Sequence, residues 1–190
     1  MDTFLQAIAS AAAVWEQAIL QVTWFHGMLA AAYLGTAWLC VLNAKIAKAP
    51  PTATTLWFTA TAVLCLLGAN SVLHGDVFIT HFFRVLAKVQ GWYGDRREWQ
   101  YLVIAVATVV AILVVSQLRF NFAVFDSTVA KPMSAGLALL LILLAMRTIS
   151  AHSTDTVLNL RFSGLSLGRV LELAGMSGVV LGALRNLRLQ

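Results

Sequence analysis

Polar positions in this chain fall into narrow bands between long apolar runs. Residues 3–22 set Phe4, Ile8, Ala11, Trp15, Ile19 and Val22 at spacings of three and four, with Gln6, Ser10, Gln17 and Gln21 opposite, which predicts an amphipathic helix. Four apolar runs follow with no polar face: about 24–44, 52–73, 99–118 and 132–152. A fifth run, about 165–185, is interrupted by charge. Each is long enough for a helix across a hydrocarbon layer of about 30 Å. Between the second and third runs, Ile79, Phe82, Phe83, Leu86 and Val89 alternate with His81, Arg84 and Lys88, predicting a short interfacial helix over about 76–90. Pro50-Pro51 predicts a tight turn, and Pro132 is expected in the first turn of the fourth span, where its missing N–H costs nothing. LNLRF at 158–162 reads as a short strand or turn, and Asp95 with Glu98 as a capping-box start to the third span.

Composition turns this pattern into a class. Of 190 residues 60% are hydrophobic and 11% charged, against about a quarter charged in soluble domains, and the mean hydropathy is +0.83. The expectation is an all-α integral membrane protein, one membrane domain over 1–190 with about five transmembrane helices. The segment MDTFLQAIASAAAVWEQ has an acid and no basic n-region, so it does not read as a cleaved signal peptide. Cys40 and Cys65 both fall inside spans and read as small apolar residues rather than a disulfide. Two small-residue stripes, Gly27/Ala31/Gly35 and Gly178/Gly182, predict close helix contact within the bundle, with other membrane subunits or with a second copy; Gly164 and Gly168 have the same spacing. No basic face is free of the membrane, so nucleic acid is not an expected partner.

Charge sets the orientation. The face reached after odd-numbered spans collects Lys45, Lys48, Arg119, Lys131, Arg185 and Arg188 against Asp126 alone. The other face carries Arg84, Lys88, Arg96, Arg97, Arg147, Arg161 and Arg169 with as many acids. The positive-inside rule makes the first face cytoplasmic, with the N-terminus outside, the C-terminus inside and a bacterial-type inner membrane as the location.

Chemistry concentrates at the outer face. Fifteen uncharged residues separate Lys131 from Arg147, only about 22 Å of helix, so Arg147 must enter the membrane, as must Glu172 in the fifth span. An intramembrane ionisable residue is a site candidate by default. Arg147 and Glu172 are expected at similar depth as partners, Arg169 one turn earlier is placed to share the carboxylate, and His152 and Asp155 complete a candidate polar pocket together with His26 and His74. The histidines His26, His74, His81 and His152 all fall at this face and form a candidate haem or copper site, although no C-x-x-C-H or HExxH accompanies them. Trp92, Tyr93, Arg96 and Arg97 suit a lipid headgroup or another anion. Ser150, His152 and Asp155 are neighbours in sequence without a nucleophile elbow, so no catalytic residue is assigned. The leading expectation is a non-catalytic subunit or ligand-binding component of a membrane complex. A haem- or copper-binding redox protein and a small oligomeric ion or proton channel or transporter are the alternatives.

Overall fold

The computed structural model describes residues 2–46, 51–95, 127–149, 157–162 and 165–189, with Val109 and Ser116 as isolated helical positions. Among the described residues the architecture is all-α apart from one hairpin of two-residue strands. Helix α1 spans Asp2–Leu20, α2 Trp24–Ile46, α3 Pro51–Leu73 and α4 Gly75–Val89, followed by a 3-10 turn at Trp92–Asp95. Helix α5 spans Ser127–Ile149 and α6 Leu167–Arg188. The hairpin pairs β1 (Arg161–Phe162) with β2 (Leu165–Ser166), Arg161 opposite Ser166 and Phe162 opposite Leu165. The span expected at 99–118 and the capping box at Asp95 and Glu98 lie outside the described residues, apart from the two helical positions and the Asp95 backbone.

Among the described residues, three helical stretches are long and apolar enough to cross a membrane: Trp24–Lys45, Thr54–Leu73 and Leu167–Arg188. The apolar stretch of α5, Lys131–Met146, is shorter. Helices α2 and α3 form one antiparallel pair and α5 and α6 another, and α2 joins the pairs by packing on α6. Direction follows from the contacts. Tyr33 meets Glu172 and Asn43 meets Asn186, so α2 and α6 run parallel. The starts of α2 and α6 and the ends of α3 and α5 therefore share one end of the bundle, here end A; end B is the other. Trp57, Leu64, Tyr33, Cys40, Leu140 and Val179 fill the shared core.

The α5–α6 pair meets backbone to backbone. A side chain at Gly136 would be driven into the Gly175 carbonyl and to 2.9 Å from the Val179 nitrogen, and one at Gly178 would meet the Pro132 carbonyl at 2.7 Å. A side chain at Gly182 would meet the Met133 Cβ at 2.8 Å. Such close approach brings many backbone atoms of the two helices into dispersion contact. The Gly178/Gly182 stripe is thus occupied inside the chain. Among the described residues, a Cβ added at Gly27 or Gly35 meets no atom within 4 Å, which leaves the first stripe open. Gly164 lies outside the described residues, and Gly168 packs on Leu158.

Pro132 is not in the first turn of its helix. The helix begins at Ser127, one turn upstream of the expected start, and Pro132 lies inside it. Proline has no N–H to give the carbonyl four residues earlier. That carbonyl belongs to Thr128, and Arg185 of α6 donates its Nη1–H to it at 3.0 Å. Beside it, Asn186 donates to the Oδ1 of fully buried Asn43 at 2.7 Å, while the Asn43 amide nitrogen donates to the Leu39 carbonyl. These bonds fasten end B. Replacing Asn186 by alanine should lower stability by about 1 kcal/mol, the usual worth of an interhelical hydrogen bond in an apolar bundle, read from unfolding in mixed detergent. A loss below about 0.3 kcal/mol would mean the Asn43 side chain re-pairs without it.

The two amphipathic helices come together. The apolar stripe of α1 packs along α4, with Phe4 edge-on to Phe82 (centroids 5.4 Å apart) and Trp15 edge-on to Phe78 (5.8 Å). Trp15 also donates its indole N–H to the Leu73 carbonyl at the end of α3. Helix α4 packs in turn on α5. The corner between α3 and α4 is His74, whose φ of 49° and ψ of 41° are left-handed. Histidine tolerates that region better than most side chains. Asn70 secures the corner by accepting the Asp76 N–H on its Oδ1 at 3.1 Å, satisfying one of the open donors at the start of α4.

Candidate functional site

The buried polar site lies near end A, between α2, α3, α5 and α6. Glu172 sits five residues into α6, about 8 Å from its start, and is 5% exposed. Tyr33, on the buried face of α2, donates its hydroxyl to the Glu172 Oε1 at 2.6 Å. That length is typical of an O–H bonded to a carboxylate, and the low dielectric of the core strengthens it. Tyr33 packs its ring against Gly68 of α3, where an added Cβ would lie 3.0 Å from the Tyr33 Cβ. The glycine lets α3 approach and aims the phenol across to α6.

Beside this bond is a small cavity lined by Tyr33, Asn70, Ser71 and Glu172 on its polar side and by Leu67, Leu140, Leu143 and Leu144 on the other. It has room for the centres of one or two water-sized particles, about 20 Å³. Ser71 donates to the Gly68 carbonyl at 2.7 Å, which leaves its oxygen lone pairs for the cavity. A hydroxyl, a carboxamide, a phenol and a carboxylate thus converge on a space of that size. The arrangement can hold a water, a proton shared with water, or one small cation.

Of the expected pocket residues, the structure describes the side chains of Glu172, Arg169, His26 and His74. Glu172 is buried, and the partner the structure describes for it is Tyr33. Arg169 does not share the carboxylate: its guanidinium lies over the Phe25 ring at 4.2 Å, a cation–π contact that ties the starts of α6 and α2 together. One helical turn between Arg169 and Glu172 puts them on the same side of α6, yet the guanidinium reaches outward to the end-A rim while the carboxylate turns into the core. The side chain of Arg147 lies outside the described residues, as do His152, Asp155, Arg96 and Arg97. Tyr33 was legible in principle. It is a tyrosine deep inside an apolar span, and a buried phenol needs a hydrogen-bond partner.

Of the histidines, His26 and His74 meet at the end-A rim with ring centroids 5.1 Å apart and planes at 74°. The Nδ1 of His26 accepts the Thr23 backbone N–H at 3.1 Å and lies 2.9 Å from the Thr23 hydroxyl, so in neutral His26 the proton is on Nε2. His81 is elsewhere, 3.3 Å from the Ser10 hydroxyl of α1. Among the described residues no group of three or more His, Cys, Asp or Glu is placed to hold a metal ion. Trp92 donates its indole N–H to Gln90 at 2.8 Å, and the Lys88 ammonium lies 5.3 Å from the centre of the Tyr93 ring.

No known protein family matches the chain, and comparison with curated proteins and with solved structures finds no match.

Proposed function

We propose that this chain is a polytopic membrane protein that crosses the bilayer five times and serves as a non-catalytic binding component of a membrane complex, with the Tyr33–Glu172 cavity as its pocket. The observation that carries the reading is the buried carboxylate of Glu172, held by Tyr33 beside a water-sized cavity among helices long and apolar enough to span. A carboxylate is costly in such surroundings and is retained where it is used. The cavity volume favours a proton carried with water, or a single small cation, over an organic ligand.

Five crossings are supported by the described ends. Helix α3 finishes at end A and α5 starts at end B, which supports one further crossing between them. Lys45, Lys131, Arg185 and Arg188 stand at end B, which supports a cytoplasmic end B and an N-terminus outside, in an inner membrane of bacterial type. Exposed Leu34, Trp38, Phe58 and Leu66 on α2 and α3 suit a lipid-facing surface.

The test is the melting temperature of the detergent-purified protein against pH and against sodium, potassium or choline chloride. A ligand at a hundred times its Kd stabilises by about 2.7 kcal/mol, which for a chain of this length is about 5–10 °C. Wild type is expected to respond to protons or to one cation on that scale, and Glu172→Gln to lose the response. A wild type insensitive to all of them, or a Glu172→Gln variant that still responds, overturns the pocket. Proton or sodium uptake into liposomes that Glu172→Gln abolishes would instead favour an oligomeric transporter built on the same residues.

A further inference from the structure

Helix α4 has four sides of different chemistry. Phe78, His81 and Phe82 face α1. Ala87, only 2% exposed, lies nine residues from Phe78, about 180° around the helix at 100° per residue, on the opposite side; α4 also packs on α5. Two edges remain between these packed sides. One carries exposed Ile79 and Phe83, four residues apart; the other carries exposed Arg84 and Lys88, also four apart. The two edges are about 140° from each other.

We propose that α4 lies flat in the headgroup layer at end A, wedged between α1 and the bundle, and binds an anionic lipid leaflet. The Ile79–Phe83 edge points into the acyl boundary and the Arg84–Lys88 edge engages lipid phosphates. A helix held on two opposite sides has one rotation available, and that rotation puts its apolar edge and its basic edge on opposite surfaces. An amphipathic helix with cations on its polar edge and aliphatic and aromatic groups on the other is what an anionic interface retains. The turn after it adds to the fit. Trp92 and Tyr93 follow α4 directly, Lys88 rests on the Tyr93 ring, and amphipathic aromatic rings partition to headgroup depth. The inference rests on the membrane-spanning reading of the bundle but not on its pocket.

The experiment attaches nitroxide labels to single cysteines at Ile79, Phe83, Arg84, Lys88 and Leu66, with Cys40 and Cys65 replaced by alanine, in bilayers of equimolar phosphatidylglycerol and phosphatidylcholine. Labels at 79 and 83 are expected to collide with dissolved oxygen, and labels at 84 and 88 with a water-soluble nickel chelate. Leu66, exposed on α3, is the reference for the spanning bundle. A water-accessible label at 66 overturns the spanning reading. A lipid-accessible label at 66 with water-accessible, immobilised or spin-coupled labels at 79 and 83 overturns the orientation of α4 alone, the last two results marking a protein partner or a second copy. Lipid retained through detergent extraction gives the second readout. Wild type should retain phosphatidylglycerol over phosphatidylcholine, and Arg84→Gln with Lys88→Gln should lower that preference by up to about thirtyfold, about fivefold per basic side chain. Lys45→Gln with Lys131→Gln, at end B, should leave the end-A preference in place. Equal retention by wild type and the α4 double variant, or loss of retention in inorganic phosphate alone, overturns the leaflet as the partner.

Discussion

Gly136→Ala is expected to destabilise the protein by about 3 kcal/mol, the upper end of the usual overpacking range. The new methyl group has nowhere to go, since it would enter the Gly175 carbonyl and crowd the Val179 nitrogen, both backbone atoms of a neighbouring helix. A flexible side chain can swing aside; a backbone moves only with its helix. Gly178→Ala, against the Pro132 carbonyl, should cost a similar amount. Gly35→Ala is the internal contrast. With no atom of the described residues within 4 Å of the new methyl, it should be neutral to within about 0.5 kcal/mol, or slightly stabilising through helix propensity. Unfolding of the three variants in mixed detergent, followed by near-ultraviolet circular dichroism, reads the difference. Equal melting of Gly136→Ala and Gly35→Ala would remove the backbone contact between α5 and α6.

Tyr33→Phe should cost about 2 kcal/mol, although it deletes a single oxygen and leaves the ring packed on Gly68. The lost hydroxyl donates to a buried carboxylate, and removing one member of a charge-assisted buried bond costs more than a neutral pair is worth. In a Glu172→Gln background the same change should cost about 1 kcal/mol, because the bond there is neutral. The difference is the coupling between the two groups, isolated by the double-mutant cycle. Additive losses would mean that the phenol and the carboxylate act independently and that the cavity has lost its polar wall.

The two predictions differ in how far the residues announced themselves. Gly178 and Gly182 have the small-xxx-small spacing, and that spacing marks a close contact. It does not say with what. Gly27, Ala31 and Gly35 have the same spacing, and the fold leaves them facing outward. Which stripe meets a helix of the same chain depends on the rotation of each helix about its axis, and an all-round apolar helix carries no polar face to fix that rotation. The amphipathic segments were more legible, because α1 and α4 do carry such a face. Their mutual packing was not, since each pattern alone is satisfied as well by a membrane surface.

The site divides in the same way. Glu172 stood out in the sequence because a carboxylate inside an apolar run is expensive to bury. Its bond to Tyr33, 139 positions earlier, depends on α2 and α6 running parallel and on Gly68 admitting α3 against the tyrosine. Arg169 illustrates the limit of spacing arguments: one turn from Glu172, it reaches Phe25 because its long side chain extends to the rim, where a ring of another helix waits. Similarly, Pro132 was legible as a residue that needs no N–H partner, but the helix began earlier and Arg185 of α6 took up the carbonyl the proline leaves open. The sequence by itself determined the helical class, the apolar runs, the two amphipathic helices and the buried carboxylate, because periodicity and the cost of burying charge are local properties of a chain. Tertiary structure alone decided which helices pair, which glycines meet a backbone, and that a phenol, an amide and a hydroxyl close around Glu172, because each depends on the rotation and direction of helices that their own composition leaves free.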